Sequence, residues 1–459
     1  MVKNAHSVDM LHGSILKKLI ALAIPIILAS ILQQLFNMTD TLMAGKFVSA
    51  EALAAVGNNI PVIGMFINLL VGLSIGANVL IARHIALKQE SDASTAVHAA
   101  MGLALAAGFF LSVLGLLLTE PILDLISVPP EVMPDAATYL RVYFLGMPAL
   151  TIYNFGSALL RADGDSQRPV YALLISNAFN IVLDYVAVVV FDFGILGLAA
   201  ATAGAAWINA LYITWILRCE TGFLHFSWSE ASLSSKPIRS IAAIGAPAGL
   251  QGIVFSISNI VVQSAINQYG RDAIAGVSAA TVFEYFAYFV VFGIAQAAVT
   301  FTSQNFAACH YARCKRIFRL SMLSAAVGAL ILSALFTAYR EPLISLFSSS
   351  PEVYHYAELR IFAIVMLEPL TALYDVPAAC MRGMGVSLLP ALETLFGACI
   401  LRLIYIFYFF DPSADFLFLM LLYPVTWIIT GSILTGTYFY VRRELFPTMR
   451  NRAAFMHDE

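Results

Sequence analysis

Hydrophobic positions in this chain fall into long unbroken runs rather than short alternating ones. A helix needs about 20 apolar residues to cross a hydrocarbon core of roughly 30 Å. About twelve such spans are read, at 15–44, 53–82, 95–118, 135–160, 169–191, 195–217, 239–267, 273–300, 317–339, 355–382, 389–410 and 415–441. The longest polar stretch, Arg218–Lys236, separates spans six and seven. The pattern predicts an all-α polytopic membrane protein of about twelve transmembrane helices in two six-helix halves. Its expected segments are an N-terminal piece (1–13), a first lobe (14–217), a linker (218–237), a second lobe (238–441) and a tail (442–459).

The two halves repeat. Ile24-Pro25 matches Ala246-Pro247, and Glu51-Ala-Leu-Ala-Ala-Val matches Asp272-Ala-Ile-Ala-Gly-Val. Leu160-Arg161-Ala-Asp-Gly164, followed by Pro169, matches Met381-Arg382-Gly-Met-Gly385, followed by Pro390. The offset stays near 221 residues. Six spans per half give both halves the same topology. They are therefore parallel repeats about an axis along the membrane normal, an arrangement that suits substrate binding at their interface and alternating access.

Composition agrees: 60% of residues are hydrophobic and 12% charged. The net charge of −3 says nothing about partners, and no nucleic-acid partner is expected. Five cysteines form no CxxC pair, so neither a disulfide framework nor a zinc site is indicated. No HExxH and no phosphate-binding lysine motif occurs, which argues against metal hydrolysis or ATP turnover. With the N-terminus placed in the cytoplasm, 19 Lys and Arg fall on the cytoplasmic side against 5 outside. That bias predicts both termini in the cytoplasm.

Some polar residues stand inside the spans. Asp184 lies in the apolar stretch Tyr171–Phe191, with Asn180 one turn earlier on the same face and Asn177 continuing it. A carboxylate at that depth costs several kcal/mol unless it is paired, hydrated or protonated. Counted at about 1.5 Å per residue, Asp184 lies about 24 Å up span five and Thr202 about 10 Å down span six. Asp40 lies about 34 Å along span one, so the three can meet at one level. The repeat partners of Asp40 and Asp184 fall near Val262 and Tyr405, so this polar site belongs to one lobe only. Two carboxylates in low dielectric can hold one proton. With an amide and a hydroxyl they could instead ligate a small hard cation such as Na+. No other metal is expected.

The second lobe carries Glu284, Glu368 and Arg402 at equal depth, which suggests a buried Glu–Arg–Glu cluster. Gln33, Gln34 and Asn37 in span one, Asn154 and Ser157 in span four, and Asn177 are candidate cavity contacts for substrate.

With its two six-helix halves and a Pro in spans one and seven, the chain resembles the multidrug and toxic compound extrusion (MATE) transporters. Two motifs add to the likeness, Asn37-Met-Thr-Asp40-Thr-Leu-Met-Ala-Gly45 and Leu160-Arg-Ala-Asp-Gly-Asp-Ser-Gln-Arg-Pro169. The resemblance covers roughly residues 14–441. Asp40 with Asn180, Asp184 and Thr202 is similar to the prokaryotic DNA-damage-inducible branch. The acid that the sodium-coupled branch carries in span seven is missing, where Gln251 and Gln263 are the only long polar side chains. The resemblance implies a secondary active exporter in a bacterial or archaeal plasma membrane, not an enzyme. It would work as a monomer without cofactor, exchanging H+ or Na+ for amphiphilic, often cationic, drug-like small molecules, with membrane lipid as its surroundings. The rival is a flippase of lipid-linked precursors or polysaccharide on a related fold. That would need a wide basic cavity, and Arg402 is the only cation not assigned to either membrane side.

Overall fold

The structure, a computed structural model, describes residues 7–126 and 128–456. It is built of helices, with no strand among the described residues. Helix α1 (Ile15–Met43) runs into a π-helical segment, Ala44–Val48. Helix α2 (Ala50–Ala86) starts at Ser49, whose hydroxyl accepts from the Ala52 amide at 3.0 Å. Then come α3 (Glu90–Leu125), α4 (Met133–Leu145) and α5 (Met147–Ala162). Helix α6 (Gln167–Asp184) continues as a second π segment, Tyr185–Val190, before α7 (Gly194–Cys219).

The second half contains α8 (Ser235–Asn267), α9 (Arg271–Ala307), α10 (Tyr311–Ala338) and the short α11 (Arg340–Ser345). One span is assembled from α12 (Pro351–Ala363), a 3-10 segment at Val365–Thr371 and α13 (Ala372–Gly383). Pro369 inside the 3-10 piece removes a backbone donor, and the helix tightens there. The next is made of α14 (Leu388–Thr394), a π segment at Leu395–Ile400 and α15 (Leu401–Tyr408). Helix α16 (Phe416–Met456) follows.

Eleven helical rods are long and apolar enough to cross a membrane among the described residues. The remaining expected span is α4 with α5. It breaks at Gly146, ahead of Pro148 in the first turn of α5, so each piece alone is short. Large apolar side chains such as Phe110, Leu117 and Leu211 stand on the outside. That surface suits lipid, where the interior need not be more apolar than the exterior.

The sequence repeat is also a backbone repeat. Gly164 and Gly385, 221 positions apart, both adopt the left-handed conformation at φ 94° and 89°. Each turn closes alike: the Asp165 amide bonds Leu160 O at 3.0 Å, and the Val386 amide bonds Met381 O at 2.9 Å. Lys88 and Cys309, again 221 apart, take φ 56° and 57° after the corresponding helices. A positive φ disfavours L side chains, so its recurrence at one offset in non-glycine residues marks a shared turn geometry.

The chain forms two compact units. One consists of Leu28–Ala246 with the described part of Met1–Val8; the other holds Asp9–Ile27 and Pro247–Glu459 as far as described. The changes of unit fall within three residues of Pro25 and Pro247. In the first unit the opening part of α8 meets α2 at paired glycines. A Cβ on Gly245 would lie 2.5 Å from Leu73 O, and one on Gly76 would lie 2.1 Å from Ile241 O. In the second unit a Cβ on Gly293 would meet Ile27 Cγ1 at 2.4 Å, so the opening part of α1 packs on α9. Small residues admit such backbone approach in membranes.

The polar stretch after α7 docks on its own unit. Leu224 and Phe226 are buried in the core that α3 and α5 form. The Ser227 amide donates to His98 Nε2 on α3 at 3.1 Å.

Candidate functional site

Of the four residues expected to meet in the first unit, Asp40 and Thr202 are joined by a direct hydrogen bond and Asp184 stands next to Asp40. Asp40 is held on α1, Asn180 and Asp184 on α6, and Thr202 on α7. All four are buried, with Asn180 and Asp184 wholly so. Thr202 Oγ1 lies 2.8 Å from Asp40 Oδ2 and 3.0 Å from Leu198 O. One hydroxyl proton serves two acceptors, so it can donate to only one at a time. Tyr139 on α4 adds a donor the sequence did not suggest: its OH donates to Asp40 Oδ2 at 3.2 Å. A tyrosine in an apolar span carries no spacing signal, so only packing could reveal it.

The rest of the cluster is unsatisfied. Asp40 Oδ1, both Asp184 oxygens and both polar atoms of the Asn180 amide are buried without a hydrogen-bond partner. The Asp40 and Asp184 carboxyls stand close enough for one to hydrogen-bond the other when a proton is shared. Left as two bare carboxylates they repel, with no Lys or Arg ion-paired to either among the described residues. Buried polar atoms without partners cost about 1–3 kcal/mol each, more when charged. The arrangement can therefore take up a proton or a small cation and gain by it.

Two π segments begin at this cluster: one directly after Asp184, the other four residues after Asp40. The third ends two residues before Arg402. Each inserts an extra residue into the helical ladder, which turns the side chains around it and frees backbone groups.

The expected cavity residues are less concentrated. Gln34 is half-buried and Asn37 exposed, while Asn177 donates to Leu32 O at 3.3 Å. Asn154 spends its amide on Leu150 O of its own helix at 2.8 Å, and Ser157 is buried. No hydrogen bond joins Asn154 or Ser157 to the Asp40 cluster among the described contacts.

In the second unit the expected Glu284–Arg402–Glu368 cluster is rearranged. Glu284 pairs with Arg360 instead, through bonds of 2.7 and 3.0 Å to its Oε2. Arg402 is wholly buried and bonds Thr426 Oγ1 at 3.1 Å and Asn259 Oδ1 at 3.3 Å. Both guanidiniums lie over the Tyr423 ring, Arg402 at 4.4 Å and Arg360 at 5.4 Å. Glu368 Oε2 is buried without a partner, and no ion pair joins it to Arg402 among the described residues. Equal depth fixes a level but not a direction around the helix. Arg360, on α12 ahead of the broken span at Val365–Thr371, is buried at 4% exposure.

The MatE family model matches residues 25–186 and 247–408, one copy per half. The chain belongs to the MatE family. It is an integral membrane transporter of that family. Among MatE relatives, Probable multidrug resistance protein YoeA of Bacillus subtilis is 26% identical over 81% of this chain and 82% of its own length. Probable multidrug resistance protein NorM of Thermotoga maritima is 26% identical over 84% of each chain. The FAD transporter of Shewanella oneidensis is 25% identical over 72% of this chain and 74% of its own. A MOP superfamily transporter from Pyrococcus furiosus superposes with a TM-score of 0.87 at 21% identity, covering 96% of this chain and 99% of that one. The outward-facing structure of a multidrug resistance MATE family transporter gives 0.86 at 22%, covering 98% and 100%. These likenesses extend the MatE fold over nearly the whole chain.

Proposed function

We propose that this MatE chain is a secondary active exporter that expels amphiphilic, often cationic, small molecules in exchange for H+ or Na+. Both termini would face the cytoplasm of a bacterial or archaeal cell. The observation that carries the reading is the unneutralised pair Asp40 and Asp184, buried beside an unpartnered Asn180. Inside a membrane such a pair marks an ion pathway more often than a structural joint. Loading one proton, or one cation between the carboxylates, removes the repulsion. Release on the other side restores it, and that difference can drive alternating access. Relatives named for multidrug resistance and export support the substrate class.

The proton is the favoured ion, because two carboxylates can share it without further ligands. Sodium would need several more oxygens at fixed distance, of which Asn180 and Thr202 could give two. Efflux from proteoliposomes under separate pH and sodium gradients tests the reading. Efflux driven by the pH gradient in sodium-free buffer is expected, and it should survive Asn180→Leu in weakened form. Efflux that ignores pH and requires sodium would reject the proton. Efflux driven by neither gradient would reject antiport.

A further inference from the structure

Helices α3 and α10 hold the same place in the two repeats, beginning at Glu90 and Tyr311. Their opening turns carry opposite charge. Helix α3 starts with Glu90 and Asp92, whereas α10 carries Arg313, Lys315, Arg316 and Arg319 and contains no acid. At the repeat offset, the counterparts of Lys315, Arg316 and Arg319 are Ser94, Thr95 and His98.

The two faces are also covered differently. In the first unit the chain folds back after α7. His98 there accepts from the Ser227 amide at 3.1 Å, and a Cβ on Gly102 would lie 2.7 Å from Ser232 O. In the second unit α16, the counterpart of α7, runs on as a helix to Met456. Lys315, Arg316 and Arg319 stay exposed, and none of them forms an ion pair among the described residues.

These cations lead into an apolar row. Arg316, Arg319, Leu323, Val327 and Leu330 recur every three or four residues, which places them on one face of α10. Leu323, Val327 and Leu330 are all exposed, while Ile317, Phe318, Ser321 and Ala325 on the opposite face are buried. From Arg316 to Leu330 the row is about 21 Å long at about 1.5 Å per residue. It faces outward along the span Tyr311–Ala338, with the charges at one end.

Helix α16 brings two more cations to that end. Phe318 stacks on Tyr438 with ring centroids 3.9 Å apart and meets Phe439 at 5.8 Å. The Arg442 guanidinium lies over Phe439 at 5.0 Å, and Arg443 beside it is exposed. Glu444 is the one acid of α16. An excess of Lys and Arg on one membrane side accounts for cations in the loops of both halves. It does not account for a row that one repeat carries above an exposed apolar stripe and the other replaces with Ser94, Thr95 and His98.

We propose that the outward face of α10, together with the end of α16, binds an anionic phospholipid. The phosphate sits at Arg316 and Arg319, in the positive field of Lys315, Arg442 and Arg443, and an acyl chain lies along Leu323, Val327 and Leu330. Guanidinium presents paired N–H donors that match a phosphate. A cluster of four or more cations at the end of a span favours a net negative headgroup. A zwitterionic head would bring its own ammonium against the same cations. A soluble phosphate would leave the apolar row unused.

The test uses the full chain, purified, stripped of lipid and titrated under native mass spectrometry. The probes are phosphatidylglycerol and phosphatidylcholine with the same acyl chains, with soluble glycerol phosphate as competitor. Phosphatidylglycerol is expected to half-saturate about tenfold below phosphatidylcholine, since each nearby cation contributes about fivefold. Arg316→Gln combined with Arg319→Gln should bring the two lipids within about twofold. Lys236→Gln combined with Arg239→Gln, at two exposed cations opening α8, should leave the preference in place. Glycerol phosphate at the same concentration as the lipid should not displace it. Equal half-saturation for the two lipids, full preference kept by the α10 variant, equal loss in the α8 variant, or displacement by glycerol phosphate would each overturn the proposal.

Discussion

The two halves of this MatE chain share a backbone but differ in the charge cluster each holds within its spans. In the first unit, two carboxylates sit together with hydroxyl donors and no Lys or Arg ion-paired to them among the described residues. In the second, Arg360 neutralises Glu284, and Arg402 is bonded and laid over Tyr423. A paired charge in a dry interior is costly to disturb and has little to gain from an ion. An unpaired one is costly to leave alone and gains much. Duplication gave the scaffold twice, and the divergence of a few side chains left the two lobes with differently balanced charge.

The largest expected effect tests the first half of that comparison. Asp40→Asn and Asp184→Asn should each abolish coupled efflux in a drug-resistance assay, while folded protein still reaches the membrane. The double variant should be little worse than either single, as expected for two members of one titrating unit. Full efflux by either single variant would break the comparison at its root.

Next comes the second unit. Arg360→Leu leaves Glu284 without its partner and should destabilise the protein by about 3–5 kcal/mol, read as a fall in Tm. Replacing Glu284 by Leu as well should recover most of that loss. A double variant as unstable as the single would mean that the pair does more than balance charge.

A smaller effect sharpens the role of the donors around Asp40. Thr202→Val removes the 2.8 Å bond, worth about 1–2 kcal/mol to a charged acceptor, and should slow efflux about tenfold. Thr202→Ser should keep most of the activity. Equal rates for the Ser and Val variants would show that the hydroxyl does not take part.

The smallest expected change is Glu368→Gln. Glu368 is the one acid of the second-unit group without an ion pair within 4 Å among the described residues, so it is the place where the comparison is most exposed. Export measured as for Asp40 should stay within about twofold, as for a surplus polar group whose loss is compensated locally. Loss as complete as that of Asp40→Asn would give the second lobe an ion site of its own.

Much of the first-unit site was legible in the chain. Asn180 and Asp184 announce themselves by helical spacing in an apolar stretch, and Asp40 and Thr202 by depth. Tyr139 was invisible, because its role depends on where α4 lands beside α1. Arg360 was legible as a charge but not as a partner. Its position near a span end reads as an outer-side residue, and only packing shows it buried against Glu284.

The sequence by itself determined what depends on composition and period: a membrane-spanning helical chain, a duplication at an offset of 221, and carboxylates placed within apolar spans. Those features follow from hydrophobic length and residue spacing, which are local. Tertiary structure alone decided which units claim Asp9–Ile27 and Ser235–Ala246, which neighbours Arg402 bonds, and where helices loosen into π segments. Each depends on the direction a side chain takes around its helix axis and on what neighbour stands there. Depth along a helix can be counted from the sequence; rotation against a partner is settled only by packing.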